Sequence, residues 1–136
     1  MKKLLLLSLI FTSCSVLNFM PAYDSSVVLE IKSTQEYADS LATAIIQNTD
    51  KNFDTYKAGY ELLDVKVKNI YALELQRANG KWLAKQAESV NSVFQNWYGY
   101  HAKSITLTAD EAARFKDLFN ASINSLLVSE NSLKNK

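Results

Sequence analysis

Past residue 32 the chain divides into long stretches in which apolar residues recur every three or four positions, separated by short polar interruptions. Tyr37, Leu41, Ala44 and Ile45 form the first stripe, and that spacing stacks side chains on one face of a helix. Ser33-Thr34-Gln35-Glu36 ahead of it reads as a capping box, so a helix is predicted from Ser33 to about Gln47. Residues 48–52 are polar and end it. The second stripe, Phe53, Tyr56, Tyr60, Leu63, Val67 and Ile70, runs through Leu73. The third steps Leu83, Ala87, Val90, Phe94, Trp97, His101 in alternating fours and threes, a heptad-like seam.

Residues 53–103 read either as one long helix or as two. Asn79-Gly80 favours two, because glycine takes the left-handed conformation that closes a helix, and the phase of the stripe slips between Leu73 and Leu83. Thr108-Ala109-Asp110-Glu111 is a second capping box, with its acids at the positive end of the helix dipole. Ala112, Phe115, Leu118, Phe119, Ser122, Ile123 and Leu126 make the inward face that follows. Residues 131–136 read as a frayed tail. Residues 14–32 hold the only proline, Pro21, the pair Ser25-Ser26 and the apolar run Val27, Val28, Leu29, Ile31, and read as a tether ending in an extended segment. No partner strand follows, which argues against a sheet. The fold predicted is all-α: a small antiparallel bundle of three to four helices over residues 33–130.

At 136 residues with 48% hydrophobic and 21% charged positions, the chain has the composition and length of one globular domain. Fifteen Lys+Arg nearly balance fourteen Asp+Glu, which excludes the clustered positive surplus that nucleic-acid binding requires. The single cysteine excludes an intramolecular disulfide and a multi-cysteine zinc site.

That cysteine stands in a telling place. Met1, Lys2 and Lys3 are followed by the apolar run Leu4 to Phe11, the layout of a secretory signal and too short to span a bilayer unless polar residues up to Met20 are drawn in. Phe11-Thr12-Ser13-Cys14 then resembles the lipobox of bacterial prolipoproteins, with small residues before the cysteine and Phe11 where leucine is usual. The resemblance covers residues 1–14 and implies a signal peptide at 1–13, diacylglycerol on the Cys14 thiol, an acyl chain such as palmitate on the new amino group, and a stable membrane anchor, since two or more chains hold firmly. Ser15 after the cysteine leans towards an outer membrane facing the periplasm. Cleavage after Ser15 by the ordinary signal peptidase, giving a soluble secreted protein, is the competing reading.

Chemistry is sparse. The sequence has no phosphate-binding glycine loop, no nucleophile elbow, no His-Glu-x-x-His and no dinucleotide turn, and nothing in it calls for a metal or a cofactor. His101 is the only histidine; it shares the stripe of Phe94 and Trp97 and reads first as a core residue, only second as a general base. The carboxylates, Glu74, Glu88 and Glu130 among them, are scattered without a motif to select a pair. The most distinctive cluster is Trp97, Tyr98, Tyr100 and His101. It is a candidate binding patch, weighed against core packing plus a turn. The function expected is an envelope lipoprotein whose non-catalytic bundle binds a protein or envelope component. Alternatives are a phage- or plasmid-type exclusion, immunity or lysis-associated lipoprotein and, below these, a cell-wall enzyme.

Overall fold

The computed structural model describes residues 20–135; the signal-like run and Cys14 lie outside them. Four helices follow one another: α1 Ser25–Gln47, α2 Phe53–Gln76, α3 Lys81–Ser104 and α4 Ala109–Ser132, the last closed by a 3-10 turn at Leu133–Asn135. α1 packs on α2 and α4, and α3 on α2 and α4, so the helices run up and down around one core. Each is 23 or 24 residues long, which sets a height of about 35 Å. One end, the base, gathers the start of α1, the α2–α3 turn and the end of α4. The other end, the apex, gathers the α1–α2 and α3–α4 turns.

α1 starts eight residues before the expected position. Asp24 is its N-cap, accepting from the Ser26 amide at 2.8 Å. Val27, Val28 and Ile31, expected in an extended tether, lie inside the helix and are buried. Val28 and Ile31 continue a stripe through Thr34, Ala38, Leu41 and Ile45 whose steps are all three or four, with Val27 beside it. Ser33 to Glu36 is therefore mid-helix, and the Thr34 hydroxyl donates back to the Glu30 carbonyl at 2.8 Å. The polar Thr34 hid the continuation. At the other terminus the expected frayed tail is also corrected: helix continues through Ser132, and Leu133 is buried against the core.

The chain does break before Gly80, for a different reason from the one expected. Asn79 takes the positive φ of 63°, while Gly80 is right-handed at φ −76°, as asparagine tolerates the left-handed region better than most residues. Gly80 is needed for space: a Cβ there would fall on the Glu74 carbonyl oxygen and 3.2 Å from the Arg77 Cβ. The Thr108 capping box forms as predicted, with the Glu111 amide donating to Thr108 Oγ1 at 3.2 Å and Glu111 Oε2 accepting from the Thr108 amide at 2.9 Å. On the same helix Phe119, Ile123 and Leu126 point inward, but Leu118 is 57% exposed, one 100° step beyond the edge of the buried face.

The two apical turns are fastened together. Phe53 N–H donates to the Ile105 carbonyl at 2.7 Å and Leu107 N–H to the Lys51 carbonyl at 3.3 Å. The pairing holds Ile105 at φ 65°, ψ −40°, with its side chain 61% exposed. A β-branched residue at positive φ is strained by roughly 1–3 kcal/mol, and this one has little burial to offset it. Ile105→Gly is expected to raise stability by about 1 kcal/mol after the entropy cost of glycine, read as a higher denaturant midpoint; a lower midpoint would show that the isoleucine side chain contributes more than its backbone costs.

Candidate functional site

The last two turns of α3 carry all four residues of the expected patch, and helical geometry separates them. Trp97 and His101 are 0% exposed. Trp97 stacks on Phe115 with ring centroids 6.4 Å apart and leans on Phe119. Tyr98 turns towards α2, where it lines a groove of about 370 Å³ with Asp64, Val65, Lys68 and Gln95. Gln95 bridges this groove, donating to Asp64 Oδ1 at 2.8 Å. Tyr100, 43% exposed, turns the other way to a shallow recess of about 440 Å³ beside Asn96, Lys103 and Phe115. Its hydroxyl donates to Glu111 Oε1 at 2.5 Å, which holds that carboxyl below the usual range. What read as one patch is two core residues and two tyrosines facing separate grooves.

His101 has a fixed role. Its Nε2 lies 2.9 Å from the Lys51 carbonyl oxygen, which can only accept, so Nε2 carries the proton. Nδ1, 2.8 Å from the Tyr60 oxygen, then accepts from the phenol. Phe53 and Tyr56 close around the ring. Burial lowers the His101 pKa, partly offset by the Lys51 carbonyl, and the same burial raises that of Tyr60. The Trp97 indole N–H lies close enough to Tyr60 to oppose its shift without completing a hydrogen bond of its own. The neutral imidazole thus ties α3 to α2 and to the apical turn. With no solvent-facing edge, it is placed to hold the fold rather than to exchange protons with a substrate.

A second polar cluster lies at the base. Glu74 and Glu130 are both 0% exposed and share one guanidinium: Arg77 Nη1 reaches Glu74 Oε2 at 2.7 Å and Glu130 Oε1 at 2.5 Å. Arg77 Nη2 donates to the Ala22 carbonyl, fastening the segment that leads into α1. Glu74 Oε1 and Glu130 Oε2 are buried without a donor, the condition under which two carboxyl groups share a proton. Burial first, then the neighbouring Glu130, pushes the Glu74 carboxyl up to about 7 against the pull of Arg77. Burial works against the Arg77 charge, but the two carboxylates outweigh it.

Compared with protein-family models, curated proteins and solved structures, the chain matches none.

The basal cluster went unrecognised in the sequence, although a signal was present. Glu74 falls four residues after Ile70 and Glu130 four after Leu126, each on the buried stripe of its helix. A charge on an apolar stripe needs a buried partner, and Arg77 was near at hand. Among the described residues no group of three His, Cys, Asp or Glu side chains is placed to hold a metal, and no helix is long and apolar enough to cross a membrane.

Proposed function

We propose that the chain is a lipid-anchored protein of a bacterial envelope, whose helical bundle is a non-catalytic binding module for a protein or another envelope component. The observation that carries this reading is the order Lys2-Lys3, the apolar run 4–11, and then Ser13 and the lone Cys14. A thiol with no second cysteine to pair with, directly behind an export-like run, suits a single covalent attachment.

The geometry of the bundle is compatible with such an anchor. Ten residues, 15–24, separate Cys14 from the first residue of α1, so the base is the end nearest the attachment point. The groove beside Tyr98 lies near mid-height and the recess beside Tyr100 towards the apex. Tyrosine at such a place offers an apolar body with a polar tip, the combination enriched at protein interfaces. The buried histidine and the buried acid pair are both occupied in holding helices together, which supports binding over catalysis.

Growth of the producing cell with labelled palmitate tests the anchor. Wild type is expected to carry label and to stay with membranes through alkaline washing, and Cys14→Ala to carry none. An unlabelled wild type recovered in the soluble fraction would overturn the reading.

A further inference from the structure

We propose that the base of the bundle seats on the anionic lipid headgroups of the membrane that holds the anchor, with Lys81, Lys85 and Lys134 as its charged contacts and Trp82 at headgroup level. This rests on the lipid-anchor reading and adds an orientation to it.

The lead from the lipid to the bundle is short. Residues 15–19 are all that separate Cys14 from Met20, and six steps of at most about 3.6 Å hold Met20 within about 22 Å of the lipidated residue whatever their conformation. The chain gains no slack after that point. Pro21 is buried, the Ala22 carbonyl is held by Arg77, Tyr23 packs against the core and Asp24 caps α1. The expected tether of residues 14–32 shortens to a lead that cannot carry the bundle far from the bilayer surface.

The base presents cations beside apolar surface. Lys81 and Lys85 on the first turns of α3 are exposed, as is Lys134 in the closing 3-10 turn. Trp82 between the first two is half-buried, packed on the core with its remaining surface outward. Met20 and Leu75 add apolar surface, 48% and 53% exposed. Of the acids at this end, Glu74 and Glu130 are buried on Arg77 and Glu30, more than a turn up α1, lies 3.9 Å from Lys66, while Asp24, which accepts from Ser26, and the exposed Glu88, three residues past Lys85, keep their charge. Lysine with tryptophan is the pairing favoured at a bilayer interface, and lysines near an anionic leaflet are drawn to it.

Two tryptophans make the test direct, since Trp97 is sealed in the core about 22 Å further along α3. The mature lipidated protein would be reconstituted into vesicles of phosphatidylcholine, with or without phosphatidylglycerol, whose acyl chains carry bromine near the headgroup as a quencher. In phosphatidylglycerol vesicles most of the Trp82 emission is expected to be lost, with the quenchable component absent in Trp82→Phe. High salt and the combined Lys81→Gln, Lys85→Gln, Lys134→Gln variant should each restore it. Equal quenching in both vesicle types, or quenching indifferent to the lysine changes, would overturn the docking while leaving the anchor intact. A mature protein without lipid on Cys14 would remove the anchor and the docking together.

Discussion

Arg77→Met is expected to destabilise the fold by about 3–5 kcal/mol at neutral pH, the cost of leaving buried charge without its partner. Among the described residues the side chain is the only cation on two fully buried carboxyl groups, and it also holds the Ala22 carbonyl ahead of α1. Methionine keeps the volume and removes every one of those hydrogen bonds. The informative companion is Glu74→Gln. A glutamine reproduces the protonated acid, with an N–H to offer Glu130 and a carbonyl oxygen for Arg77, so its cost should be small below pH 5. The sign with pH follows from the raised pKa. Glu74 titrates near 4.5 when unfolded and about 7 when folded, so the folded state binds more protons in between. Stability from this group is full below about pH 4.5 and is lost as pH rises through 7. Relative to wild type, Glu74→Gln should therefore gain on the order of 2 kcal/mol between pH 5 and pH 8, measured by urea unfolding at each pH. His101 works the other way, its lowered pKa costing stability as pH falls below 6.5, and the variant should leave that acid-side loss exposed. A Glu74→Gln curve parallel to wild type would show that the two acids do not share a proton.

The second large effect is expected at Trp97. Trp97→Ala should cost about 3–5 kcal/mol, as for other large aromatics removed from a packed interior, because the indole is fully buried against Phe115, Phe119 and Tyr60. Tyr98→Ala and Tyr100→Ala remove half-buried and exposed rings and should cost far less. The contrast separates the two meanings of the aromatic cluster: loss of partner capture in the tyrosine variants, with melting temperature nearly unchanged, is the signature of a binding surface. Loss of capture in Trp97→Ala alone, accompanied by unfolding, is the signature of a core.

The helical stripes were legible because a 3.6-residue period leaves a direct mark on sequence, and the seam Leu83 to His101 is buried at every step. Capping signals were less reliable. Ser33-x-x-Glu36 and Thr108-x-x-Glu111 have the same pattern, yet only the second caps a helix. The difference lies upstream: Val27, Val28 and Ile31 extend the first stripe backwards, whereas Ile105 and the loop pairing stop α3 just before Thr108. Contacts across the bundle were not legible. Tyr60 and His101 are 41 residues apart and Arg77 and Glu130 are 53 apart, and both meetings depend on the register of antiparallel helices, which one sequence does not display. The on-stripe positions of Glu74 and Glu130 could have announced a buried pair, but not which cation would join them.

The central claim concerns Cys14, and the intact mass of the mature N-terminus tests it most directly. The account predicts a chain beginning at Cys14 with a diacylglyceryl group on sulfur and an acyl chain on its amino group, and the unprocessed mass for Cys14→Ala. A mature chain that begins at Val16 and carries no lipid would contradict it.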